Sequence, residues 1–302
     1  MKEHTTTKPG DNITPDFQTR SGDAHMLEVS QRREYYIVQR NDMTQNQRFI
    51  SGRNSGKSLT LTEEKVLNYL ISQIKPQAEH LEPMTLDIKT FCEVCGLGRG
   101  STDNCYPQVK AAVDLLAGRV MWLRDQDGSE TTVRYIQRAT MHKRSGKILI
   151  EFDPMMEPYL INLAGNYFQF SFHNILAMTS KYSIQLYKLL KSYYFKYPCV
   201  RFEIEDLRER LDATHYPRFS DLKDRVITPA VKDINTFTDL SVKVEYEKTG
   251  RSITHIIFSM KDLGGASAPL SVKEAHRRYY NVERAVDPEQ MERLDAFSDY
   301  EY

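Results

Sequence analysis

A chain of 302 residues is long for one hydrophobic core and predicts about two domains. Its 41 Lys+Arg balance 41 Asp+Glu, so composition alone does not announce a nucleic-acid partner, and 40% hydrophobic residues with 27% charged ones are ordinary for a soluble globular protein. No apolar run approaches the roughly 18 residues of a membrane span and no signal peptide is recognisable, which argues against a membrane partner.

Charge is unevenly spread. Residues 171–263 hold 15 basic and 12 acidic side chains, 59–170 hold 12 and 14, and 264–302 hold 5 and 8. The later part of the chain is thus the more basic, and an acidic tail offsets it. Four cysteines, Cys92, Cys95, Cys105 and Cys199, are few and scattered, as expected of a reduced compartment.

Residues 1–33 are rich in Thr, Asp, Gly and Pro and read as disordered. Glu34–Gln39 reads as a short strand or lead-in, and Asn41–Ser58 as polar linker. Thr60 and Glu63 have capping-box spacing, and Val66, Leu67, Leu70, Ile71 and Ile74 then share one helical face up to Pro76. A short strand is expected at Met84–Ile88 and a short helix at Lys89–Gly96. A longer helix follows, capped by Ser101, Thr102 or Asp103, with Cys105, Val109, Ala112, Val113 and Leu116 inward and Gly118 near its end. Strands are expected at Val120–Arg124, Thr131–Met141 and Lys147–Phe152, separated by DQDGS and KRSG turns. Helix, strand, helix, helix and hairpin in that order describe a winged helix with an enlarged wing.

Residues 154–176 read as a connection to a second copy of the same order. Its parts are a helix at Ser180–Phe195, a strand at Val200–Phe202, a helix at Ile204–Leu211, and then the stretch Tyr216–Met260. In that stretch Phe219, Leu222, Val226, Ala230 and Ile234 step by three or four and form a buried stripe. Arg218, Arg225, Thr228 and Lys232 lie opposite, with Lys223 at the edge. Asp221 and Asp224 share the exposed side, and Pro229 is expected to kink or restart the helix. Two alternating strands around Lys-Thr-Gly-Arg complete a helix-plus-wing unit. From Gly264 onward the composition turns small and acidic, and the tail is expected to be flexible apart from a transient helix over Val272–Val286.

Catalytic patterns are weak. Gly52, Gly56, Lys57 and Ser58 give G-x-x-x-G-K-S, one residue short of a phosphate-binding loop, with no apolar strand before it. Cys92, Cys95 and Cys105 lack a fourth metal ligand, and Cys92 and Cys105 fit apolar helix faces. No paired histidines accompany the tyrosines as a metal-dependent nickase requires, and no G-x-S-x-G elbow is present. No catalytic residue, cofactor or metal site is therefore assigned. The basic helix faces remain. Tyr216, Arg218, Lys223 and Arg225 are expected in the first turns of a major-groove helix, with Thr228 and Lys232 further along and Lys248 and Arg251 at the wing tip. In the first unit the corresponding positions are Asn104, Gln108 and Lys110 on the helix and Lys143, Arg144 and Lys147 on the wing.

The runs TSKYSIQLYKLLKSYYF, VRFEIEDLRERLD and YPRFSDLKDRVITPAVKDIN…KTGRSITHIIFSM resemble the C-terminal winged helix of iteron-binding plasmid replication initiators of the RepE, RepA and Pi class. LTLTEEKVLNYLI and KRSGKILIEFDPMMEPYLINL resemble the first domain more loosely, and the resemblance spans roughly residues 35–262. It implies an α+β fold of two tandem winged-helix domains. Their expected extents are 34–165, for dimerisation and backbone contact, and 166–263, the main base reader, flanked by tails 1–33 and 264–302. It also implies a bacterial, cytoplasmic, plasmid-associated protein that is not an enzyme. Such a protein binds direct repeats in double-stranded origin DNA as a monomer, opens the origin and engages the host initiator, replicative helicase and chaperones. As a dimer it represses its own gene. Asp224 departs from the family, which often carries a basic residue there. A winged-helix repressor without an initiator role is the alternative, and two different winged helices in one chain favour the initiator.

Overall fold

The computed structural model describes residues 35–49, 57–95, 102–141, 145–163 and 165–263. The segments read as disordered or flexible, 1–33 and 264–302, lie outside these residues, as do Gly52, Gly56, Lys143 and Arg144.

The first strand, β1 (Tyr36–Arg40), leads into a helical turn, α1 (Asn41–Gln45), and a two-residue strand, β2 (Gln47–Arg48). The polar run 41–58 is therefore not plain linker. The capping box then operates as expected: Thr60 Oγ1 accepts the Glu63 N–H at 3.3 Å, and the Glu63 carboxylate accepts the Thr60 N–H at 2.7 Å. Helix α2 (Leu61–Ile71) follows, and Val66, Leu67, Leu70 and Ile71 are all buried. Next come β3 (Met84–Asp87), then α3 (Ile88–Val94), capped by Asp87 accepting from the Thr90 N–H, and α4 (Thr102–Gly118). Cys105, Val109, Ala112, Val113 and Leu116 of α4 face the core. Cys92 on α3 and Cys105 on α4 are joined as a disulfide, with Cα atoms 6.4 Å apart. Both sit on apolar faces as the spacing implies, but they pair with each other instead of remaining separate thiols.

Strands β4 (Val120–Arg124), β5 (Glu130–Arg134), β6 (Ile136–Met141) and β7 (Lys147–Phe152) follow. The single strand expected at Thr131–Met141 breaks at Tyr135. Val133, Tyr135 and Ile136 are all buried, and two adjacent inward residues cannot both lie on one face of a regular strand. The chain bends there, so β5 pairs with β4 while β6 pairs with β7. Gln47 Nε2 donates to the Tyr135 hydroxyl at 3.0 Å and pins the corner.

Residues 154–176 are likewise more than a connection. They hold a 3-10 turn (Pro154–Met156), α5 (Glu157–Leu160), β8 (Tyr167–Ser171) and α6 (His173–Leu176). Strand β8 pairs antiparallel with β1, Tyr36 opposite Ser171 and Arg40 opposite Tyr167. The second unit comprises α7 (Lys181–Tyr194), β9 (Cys199–Glu203), α8 (Ile204–Arg210), α9 (Phe219–Leu222), a π-turn (Lys223–Ile227), α10 (Thr228–Phe237), β10 (Leu240–Thr249) and β11 (Ser252–Asp262). Ser180 caps α7 by accepting the Tyr182 N–H.

The two units share one sheet plan. In the first, β7 lies between β3 and β6; in the second, β11 lies between β9 and β10. In each the strand that follows the long opening helix, β3 after α2 and β9 after α7, pairs with the last wing strand, which is the winged-helix arrangement. The extra sheet β2-β4-β5 enlarges the first wing. One apolar cluster runs through both units. Tyr69 of α2 meets Phe91 and Phe172 with centroids 5.2 and 5.9 Å away. Phe170 of β8 meets Tyr187 of α7 edge-on at 5.6 Å. Polar contacts add to this seam: Lys188–Glu64 at 3.5 Å, Arg48–Asp206 at 3.0 Å and Arg124–Glu209 at 2.9 Å.

Candidate nucleic-acid interface

The strongest candidate surface is the helix Phe219–Phe237 with the wing that follows it. Leu222, Val226, Ala230 and Ile234 are buried, as their spacing predicts. Phe219 is half-buried and packs edge-on to Tyr246 of β10 at 5.3 Å. Burial, and secondarily the charge of Asp224, hold the Tyr246 phenol above its ordinary pKa, so its hydroxyl stays neutral. Lys223 Nζ lies 5.6 Å from the same ring. Tyr246, which the sequence reading passed over, therefore fixes the helix to the wing. Its position on the inward side of an alternating strand was the available signal.

Lys223, Asp224, Arg225, Thr228 and Lys232 are all exposed, and Asp221 is half-buried. Arg225 Nε is 4.0 Å from Asp221 Oδ1, with both side chains largely in water. Such a loose pair leaves the guanidinium available to a stronger acceptor.

Tyr216 and Arg218 are not in the first helical turns as expected. Arg218 is the N-cap residue, with φ −80° and ψ 135°, and Tyr216 precedes it in a loop. The cause is Pro217. Proline drives the residue before it out of the helical region, and it offers no N–H to extend the helix backward. Arg218 is exposed at the helix entrance. Tyr216 is half-buried, its ring 4.1 Å from that of His215, and the Tyr182 hydroxyl lies 3.4 Å from His215 Nε2. Lys181 Nζ is 5.0 Å from the Tyr182 ring and 3.2 Å from Asp212 Oδ2. A cation and three rings thus gather beside the helix entrance, and Lys181, Tyr182 and His215 are the members not singled out from sequence.

The wing turn is Gly250-Arg251, closed by Thr249 opposite Ser252. Gly250 has φ +62°, a left-handed value that favours glycine. Lys248 and Arg251 are exposed at this tip. A register shift between Glu247 and Lys248 marks a bulge just before it. Glu247 accepts two bonds from Arg201, at 2.8 and 2.9 Å, and these hold its carboxyl below the usual range.

The first unit gathers its candidates less well. Gln108 and Lys110 are exposed on α4 but flank the buried Val109, about 200° apart around the axis, so they share no face. Asn104 lies in the first turn of α4. Lys147 is exposed at the first residue of β7, beside Gly146 with φ +66°. Among the described residues no group of three or more His, Cys, Asp or Glu is arranged to hold a metal, and no helix is long and apolar enough to cross a membrane.

Comparison with known proteins agrees with the doubled winged helix. The likeness includes a crystal structure of the Pi initiator protein in complex with iteron DNA, with a TM-score of 0.60 at 23% identity, covering 76% of this chain and 97% of that one. Domains 2 and 3 of RctB match with a TM-score of 0.45 at 12% identity, over 77% and 93% of the two chains. Residues 37–191 match the model of the family described as Initiator Replication protein, WH1, and residues 203–260 match Initiator Rep protein, WH2. The chain belongs to the initiator replication protein family.

Proposed function

We propose that this protein initiates plasmid replication by binding direct repeats at the origin. The observation that carries the reading is the repetition of one sheet plan in two consecutive units, each matched by its own initiator family model. A repressor needs one reader and a dimer contact; two different readers in one chain suit a long, repeated site. The Pi structure, an initiator on iteron DNA, has the same fold over nearly its whole length.

We assign residues 166–263 to the main base reader and 34–165 to a second unit that contacts the backbone and carries self-association. In the second unit Lys223, Arg225, Thr228 and Lys232 face the major groove, Arg218 stands at its edge, and Lys248 and Arg251 hold phosphate. Tyr216 supports the helix entrance and does not read bases. In the first unit Asn104, Gln108, Lys143, Arg144 and Lys147 supply the remaining contacts, and Lys110, about 200° around α4 from Gln108, is left outside that surface. A monomer on the repeats opens adjacent AT-rich DNA and recruits host initiator and helicase, and a dimer represses the gene. The role is one of binding, without catalysis.

The test is footprinting on the DNA flanking the gene. The expected result is protection of tandem repeats of about 20 base pairs, two helical turns, beside an AT-rich tract. Arg225→Ala is expected to lose about 1–3 kcal/mol of specific binding, read as displacement of the titration curve on repeat DNA. Protection of one isolated palindrome and nothing else would favour the repressor instead.

A further inference from the structure

We propose that Pro229 is a positioning residue for base reading. By enforcing the π-turn at Lys223–Ile227 it sets the rotational phase at which Lys223 and Arg225 face DNA. This rests on the assignment of Phe219–Phe237 as the base-reading helix.

The Thr228 N–H donates to the Lys223 carbonyl, five residues back instead of four. The reason lies one residue on. A proline in a helix donates nothing, and its ring collides with the carbonyl four residues earlier, here that of Arg225. Widening the turn by one residue relieves that collision while the backbone stays helical on both sides.

The buried stripe indicates what the turn accomplishes. Leu222, Val226, Ala230 and Ile234 step by four three times, and none is more than 1% exposed. In an unbroken α-helix four residues rotate about 400°, so three such steps drift by about 120°. That drift would carry one end of the stripe out of the core. One extra residue in a turn returns about 100° and cancels most of it. The π-turn therefore keeps Leu222 inward together with Ile234, and the same rotation keeps Lys223, Asp224 and Arg225 outward. Phe219 against Tyr246 and Lys223 over the same ring are set by this phase as well. Without the extra residue, the block that begins the helix would be turned about a quarter-circle against Thr228–Phe237.

The experiment compares the full-length parent with Pro229→Ala, Lys223→Ala and Arg225→Ala. Each selects from a synthetic duplex pool randomised over about 20 base pairs. Each is then titrated against the duplex the parent selects and against random duplex, over a range of salt. Relaxing to a regular turn would swing Leu222 away from the core, so Pro229→Ala is expected to melt below the parent, and its parental random-duplex affinity and salt slope are what separate the effect from misfolding. The expected result is a changed base preference, or roughly ten- to hundredfold weaker binding to the parental duplex, with random-duplex affinity and salt slope unchanged. Parental preference and affinity in Pro229→Ala, alongside a loss in Arg225→Ala, would overturn the role of Pro229 and leave the helix as reader. Undiminished binding by both Lys223→Ala and Arg225→Ala would remove the base-reading assignment and this proposal with it.

Discussion

Lys191 and Asp239 meet at 2.6 Å with side chains only 4% and 0% exposed. The carboxylate also accepts the Tyr187 hydroxyl at 2.8 Å and the Asn174 amide at 3.1 Å. One charge thus ties the middle of α7, the helix α6 and the entrance to β10 together. Burial and the Asp239 charge raise the Tyr187 phenol well above its ordinary pKa, so it remains a donor across the neutral range. Removing one partner of such a pair strands the other in a low-dielectric site. Asp239→Ala is accordingly expected to cost about 3–5 kcal/mol, measured by urea unfolding. A cost near that of an ordinary surface change would mean that water, or the Asp262 carboxylate 4.0 Å away, compensates Lys191. This network sits away from the exposed helix face, so stability and base preference are separable at the residue scale.

At the scale of elements, the wing carries the clearest test of phosphate contact. Lys248 at the bulged end of β10 and Arg251 in the two-residue turn are both exposed, and neither pairs with a carboxylate in the salt bridges found among the described residues. Lys248→Ala and Arg251→Ala are each expected to lower the salt slope of binding by about one, and to weaken binding to all sequences alike. A slope equal to the parent's would take the tip off the DNA. Elements with a local signature were legible in the sequence: the Thr60–Glu63 box and the Lys-Thr-Gly-Arg turn each announce themselves within a few residues. Long-range pairing had no such signature, although the strand expected at Glu34–Gln39 is present as β1. Strands β1 and β8 pair across more than a hundred residues, and nothing near Tyr36 or Tyr167 indicates the partner. The break at Tyr135 and the π-turn were encoded, the first in adjacent buried residues and the second in a strict four-residue step before a proline. An α-helical template of threes and fours absorbs both without protest. The same applies to the site. The exposed cations followed from periodicity, whereas the displacement of Tyr216 and Arg218 follows from Pro217, which acts on the backbone and not on the pattern of apolar residues.

For the whole molecule, the seam between the two units decides whether they act as one body. Glu64 of α2 and Lys188 of α7 face each other at 3.5 Å, 5% and 9% exposed, and Asn68 donates to the same carboxylate at 3.1 Å. Lys65 Nζ donates to the Leu176 carbonyl at 2.8 Å, and Lys181 holds Ser58 Oγ and Asp212 Oδ2 at 2.6 and 3.2 Å. Together with the aromatic contacts these make one continuous interior. Unfolding in urea is expected to show one cooperative transition, and two resolved transitions would contradict it. In a cycle with Lys188→Met and Glu64→Gln, the single Lys188 change is expected to cost more than the double, because it alone leaves a buried carboxylate uncompensated.

The pairing of β1 with β8 has a mechanical consequence. Tyr36 lies opposite Ser171, and the Phe172 N–H donates to the Tyr35 carbonyl, so both strands leave the pair at the same end. Tension between the N-terminal flank and the second unit would act on this clasp as on a zipper, loading one residue pair at a time in place of all five together. A strand pair that resists heat as part of a common core can still peel under a directed pull, and here that pull is one between the N-terminal flank and the second unit.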